Sequence, residues 1–143
     1  MTLLIKDLAP QYIWKNFYSL TQIPRPSKKE EKVSRFIVDF AKKLNLETMT
    51  DPMGNIIVRK PATKGMENRR GVVLQSHIDM VPQKNNDTAH NFETDPIQAY
   101  ADGDWVKAKG TTLGADNGIG VAAIMGILEN QEIKHGNLEA LFT

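Results

Sequence analysis

The sequence has 143 residues, which at about 150 residues per domain allows one domain. Hydrophobic residues make up 41% and charged residues 24%, a balance that excludes disorder as the main state. Eighteen Lys and Arg against 17 Asp and Glu leave a net charge of +1, so no electrostatic case exists for nucleic acid or an anionic membrane as partner. Cysteine is absent, which excludes disulfides, thiolate metal sites and thiol catalysis and fits a reducing compartment.

Met1-Thr2-Leu3-Leu4-Ile5-Lys6-Asp7 has neither the basic start nor the apolar run of a secretory leader. Nowhere do 18 apolar residues run together. A cytoplasmic chain with no membrane span is expected. Pro10 suits the first turn of a helix, and Ile13, Trp14, Phe17 and Leu20 follow at helical spacing. Ile23-Pro24-Arg25-Pro26 must break that helix, because two prolines remove donors and fix φ. Ser27 and Glu30 match a capping box ahead of a second, amphipathic helix marked by Val33, Phe36, Ile37, Phe40 and Leu44.

The period then changes. Residues 46–50 and 56–59 read as two short strands around Asp51-Pro52-Met53-Gly54-Asn55, and 60–70 as a loop. Gly71-Val72-Val73-Leu74-Gln75 is a compact apolar run, as expected of a buried central strand. Residues 82–96 read as loop, and 97–100 with 105–108 as a hairpin about Asp102-Gly103-Asp104. Residues 116–130 form a helix that is apolar on all sides from Val121 to Leu128, and 138–143 a last strand. This order argues for an α/β layered fold.

Two segments carry chemistry. Ser76-His77-Ile78-Asp79 follows the apolar run, and on a strand His77 and Asp79 share a face, roughly 6.6–6.8 Å apart at Cα. That spacing lets a histidine ligate a metal while a carboxylate orients its ring, or simply hydrogen-bond at a strand end. The second segment is Gly110-Thr111-Thr112-Leu113-Gly114-Ala115-Asp116-Asn117-Gly118-Ile119-Gly120, at a helix entrance. Gly114, Gly118 and Gly120 have a spacing used by some dinucleotide-binding loops. Against that reading, Asp116 repels phosphate, and Trp105-Val106-Lys107-Ala108-Lys109 is unlike a buried first strand. Asp116 alone reads as a helix N-cap. Together, His77 and Asp116 suit a divalent metal, zinc or a harder manganese or cobalt, though two ligands do not complete a zinc site. His90 and His135 fall outside any metal-like pattern and read as surface or loop residues.

At these residues the sequence closely resembles the aminoacyl-histidine dipeptidases of the M20 metallopeptidase family. The likeness runs through Ile23-Pro24-Arg25-Pro26-Ser27, then residues 75–82 and Asp95-Pro96-Ile97, and is most specific from Thr111 to Gly120. It implies that 1–143 is the N-terminal part of a zinc-peptidase-type catalytic domain, a mixed sheet flanked by helices, with the lid domain absent. It implies that His77 ligates one zinc, that Asp116 bridges two, that Asp79 steadies the imidazole, and that the Asp116–Asn117 peptide is cis. The implied reaction is hydrolysis of dipeptides, often with C-terminal histidine, through a water activated by two zincs, with a glutamate taking its proton. That glutamate is expected a few residues beyond Thr143, so the chain alone is expected to be inactive and the complete enzyme a homodimer. Other readings are a non-catalytic fragment or binding module, and a dinucleotide-binding protein through the Gly114, Gly118 and Gly120 loop.

Overall fold

A computed structural model describes residues 4–143; residues 1–3, the start of the segment read for a leader, lie outside the described residues. Pro10 sits at the N-cap of α1 (Gln11–Thr21), just before the first turn, where its fixed φ is tolerated. Phe17 and Leu20 are buried on one face of α1. Asn16 on the same helix donates its amide to Tyr12 O and to Glu129 Oε1, each at 2.9 Å. The amphipathic pattern of α2 (Glu31–Lys43) holds: Val33, Ile37 and Ala41 are buried, and Phe36, Phe40 and Leu44 pack against them.

The expected capping box does not form. Glu30 stands at the N-cap position of α2 and no side chain caps it. Its Oε1 accepts the Lys28 N–H instead, at 2.5 Å, where the chain turns through a positive φ of 70°. The Ser27 hydroxyl is taken up elsewhere, by Asp79 and the Met80 carbonyl, so a tertiary partner overrides the local one.

Strands β1 (Glu47–Thr50), β2 (Ile56–Lys60), β3 (Val72–Ser76) and β6 (Leu138–Phe142) form one mixed sheet in the order β1-β2-β6-β3. The first two junctions are antiparallel, and β3 lies parallel to β6. The hairpin β4 (Ala99–Asp102) and β5 (Trp105–Ala108) stands apart from that sheet. Register sets Ile56 opposite Phe142 and Val58 opposite Ala140, so these buried residues share a face. They join Phe17, Leu20, Val33 and Ile37 in one core with α3 (Ala115–Glu129).

One expectation changes. The apolar run at 72–75 is not a buried central strand: among the described residues β3 pairs only with β6, and Val73 is 62% exposed. Its apolar composition is that of a strand with partners on both sides, but its free side carries none here. The helix that is apolar on all sides is covered, as such a composition requires. Val121, Ala122, Ile124, Met125 and Leu128 are all buried, because α1 lies along α3.

Candidate metal centre

The parallel pair β3 and β6 ends in step, with Ser76 opposite Phe142. Beyond the strands the ladder continues, Thr143 N donating to Ser76 O at 3.0 Å and Ile78 N to Thr143 O at 2.9 Å. His77 and Asp79 therefore lie past the end of β3 rather than on it, at the carboxyl edge where α/β sheets bind ligands. The extended backbone still turns them to the same side. His77 Nδ1 is 2.9 Å from Asp79 Oδ1, and Ser27 donates its hydroxyl to Asp79 Oδ2.

Across from them stands Asp116, reached from the other segment. Its Oδ1 lies 3.0 Å from His77 Nε2, and its side chain is 96% exposed. Asp116 is not the N-cap: it has extended dihedrals (φ −94°, ψ 103°) and is followed by a cis peptide to Asn117. α3 is kinked at Asp116 and Asn117, and past the kink Asn117 caps its regular part, Oδ1 accepting the Gly120 N–H at 3.1 Å and leaving the Asp116 carboxylate free to face outward. Ser76, wholly buried at the end of β3, donates its hydroxyl to Asn117 O at 3.1 Å and so ties this turn to the sheet. Asn117 and Ser27 were missed in the sequence. The Asn117–Gly120 spacing was a readable cap signal, whereas Ser27 reaches Asp79 only through the tertiary fold.

The glycines have internal reasons. A Cβ on Gly114 would come within 2.7 Å of Arg25 Nη2, one on Gly118 within 2.6 Å of the same atom, and one on Gly120 within 2.7 Å of Ser76 Oγ. Packing against side chains of the protein accounts for these glycines, so their spacing needs no pyrophosphate to explain it. The pair β4 and β5 that precedes this loop is a separate hairpin, not the sheet strand such a site requires. His90 and His135 are half-buried loop residues, His90 edge-on to Phe92 and His135 with Nδ1 2.7 Å from Gly136 O.

Charge is organised around the same atoms. Partial burial works against ionisation of Asp79, but hydrogen bonds from Ser27 and His77 outweigh it and hold the carboxyl below its usual range. Burial likewise opposes the His77 imidazolium, and the hydrogen bonds to Asp116 and Asp79 reverse the balance and raise it. Burial draws the Arg25 guanidinium down to about 10, with the Asp79 charge pulling the other way. Arg25 thus stays charged at neutral pH.

An imidazole nitrogen beside a carboxylate oxygen, with a second carboxylate on the other ring nitrogen, fits a divalent zinc in donor type. It does not complete one. Among the described residues no three His, Cys, Asp or Glu converge on one point, and a catalytic zinc takes three protein ligands.

This mixed α/β sheet flanked by helices matches the N-terminal part of M20 peptidase structures. No family model matches the chain. Over 97% of its length it is 55% identical to the cytosol non-specific dipeptidase of Escherichia coli, of which it covers 29%. The aminoacylhistidine dipeptidase structure from Vibrio alginolyticus matches 99% of the chain at a TM-score of 0.97 and 55% identity, the chain covering 29% of it. A dinuclear metal-binding M20 peptidase from Bacillus subtilis matches 91% of the chain and 34% of its own at a TM-score of 0.55 and 18% identity, a likeness of fold alone. The resemblance to aminoacyl-histidine dipeptidases is thereby shown, over a chain that spans about 29% of the curated relative's length. No helix among the described residues is long and apolar enough to cross a membrane.

Proposed function

We propose that residues 1–143 are the N-terminal part of the catalytic domain of a cytoplasmic, zinc-dependent dipeptidase acting on Xaa-His and other dipeptides. One observation carries this reading: His77 Nε2 and Asp116 Oδ1, from segments 39 positions apart, meet at 3.0 Å while Asp79 holds the far side of the ring. His77 and Asp116 would hold the metal. When bound, zinc polarises a scissile carbonyl and lowers the pKa of a water.

The residues of this chain do the holding and orienting. Asp79 accepts the Nδ1 proton of His77 and orients the ring, so that Nε2, which faces Asp116 at 3.0 Å, would ligate once a metal replaces its proton. Asp116 brings the negative charge that offsets a dication, on a carboxylate free of any helix-capping duty. The remaining ligands and the proton-accepting glutamate are supplied from outside these residues, in keeping with the two donors found here. The dipeptide substrate rests on the named relatives, and a homodimeric complete enzyme on the family resemblance alone.

Isothermal titration of the chain with zinc tests the reading, with His77→Ala and Asp116→Ala as controls. Binding that both substitutions abolish is expected, together with no hydrolysis of Xaa-His dipeptides by the chain alone. A stable, folded chain with no zinc affinity, or affinity indifferent to both substitutions, overturns the metal site and favours a non-catalytic binding module.

A further inference from the structure

We infer that Arg25 is a positioning residue, whose buried guanidinium clasps the His77 and Asp116 segments together and sets the separation of the two metal donors. The inference rests on the metal reading above. Arg25 is 2% exposed and leads the fully buried side chains in volume. Its Nη1 donates to the carbonyls of Ile78 at 3.0 Å and Asp79 at 3.1 Å, and its Nη2 to the carbonyl of Gly114 at 2.6 Å. The first two carbonyls lie within two residues of His77, and the third lies two residues before Asp116. One planar group thus bonds backbone on both sides of the site.

The surroundings fit a clasp rather than a substrate binder. At 2% exposure the guanidinium does not reach a bound dipeptide, and both terminal nitrogens are already committed to main-chain oxygens. The chain also docks its own backbone here, Met80 N donating to Arg25 O at 3.0 Å and Ser27 N to Met80 O at 3.2 Å. Gly114 and Gly118 leave room for Nη2 that a Cβ at either position would take. Burying a cation without a carboxylate in direct contact is costly, and the carbonyls of two functional segments are what offset it here. Lysine, a point charge on a flexible stem, does not span both sides at once.

The test compares zinc affinity in the unchanged chain, Arg25→Lys, His77→Ala, and Val33→Ala, a core truncation in α2 that reads the effect of lost stability alone. A loss of about 10–100-fold in Arg25→Lys, with Val33→Ala near the unchanged affinity, is expected for a group that orients metal ligands. Zinc affinity of Arg25→Lys equal to the unchanged chain overturns the clasp and leaves the metal site standing. An equal loss in Val33→Ala also overturns it, because stability alone then explains the effect. Absent zinc binding in the unchanged chain, or binding indifferent to His77→Ala, overturns the metal reading and the clasp with it. If Arg25→Lys does not fold, exchange of the Arg25 Nη protons in the unchanged chain decides. Coupling is reciprocal, so zinc must slow that exchange if the clasp acts on the ligands, and an unchanged rate refutes it.

Discussion

Ser27 donates its hydroxyl to Oδ2 of Asp79, the carboxylate whose Oδ1 faces His77 Nδ1 at 2.9 Å. A short chain of hydrogen bonds therefore runs from the Pro-rich segment to the imidazole. Removing its first link frees Asp79 to rotate and loosens the ring it holds. Ser27→Ala is expected to weaken zinc binding by about 10-fold, the low end for a group that supports a ligand from behind. Ser27→Thr, which keeps the hydroxyl, is expected to restore most of it. Equal affinities in all three proteins, measured by titration, would show that Asp79 holds its position without Ser27.

How much of this was legible in the sequence depends on the range of each interaction. The helices, the order of strands and the 105–108 hairpin arm follow from local periodicity, and all appear. His77 and Asp79 were readable as a pair because two positions on extended chain share a side, even though β3 stops at Ser76. Asp116 alone reads as an N-cap, and it became a candidate ligand only when taken together with His77 and with the motif resemblance. Arg25 and Ser27 gave no local sign of their contacts: both bond to residues more than 50 positions away. The apolar run of β3 misled for a related reason, because composition reports the partners a strand is suited to and not those it has.

Gly120 lies inside α3, where alanine normally gains about 1 kcal/mol over glycine. Here the sign is expected to reverse. A Cβ at this position would press on the Asn117 side chain that caps the helix and sit 2.7 Å from Ser76 Oγ, a wholly buried hydroxyl. Both neighbours are fixed by hydrogen bonds and cannot easily give. Overpacking of this kind costs about 1–3 kcal/mol, so Gly120→Ala should destabilise the chain in urea denaturation. A higher midpoint than the unchanged protein would show that the cap turn yields.

The turn between β1 and β2 carries a pH dependence. Asp51 Oδ1 accepts the N–H groups of Met53 and Asn55, and Oδ2 accepts the Asn55 side-chain amide. The Asn55 side-chain hydrogen bond leads, with the backbone bonds behind it, in holding this carboxyl below its usual value. A depressed folded pKa means the unfolded chain takes up the proton more readily, so the contribution is fully present above about pH 4–5 and fades as pH falls through the folded value. Asp51→Asn removes the titrating group. The stability gap between the two proteins, followed by thermal melting at several pH values, should be widest near neutrality and close in acid. A gap independent of pH would mean the carboxylate charge adds nothing to the turn.

The free side of β3 makes a prediction about solution behaviour. Val72 is 48% and Val73 62% exposed on a strand whose second side has no partner among the described residues. Exposed edges of this composition template pairing with other chains, and a lysine on the edge is the usual way such pairing is blocked. Association that grows with concentration is therefore expected in sedimentation velocity, and Val73→Lys should suppress it. Because Val73 contributes little to the core, the same substitution should shift stability by no more than about 0.5 kcal/mol. A chain that stays monomeric at every concentration, or associates equally with Lys at this position, would place the contact elsewhere on the surface.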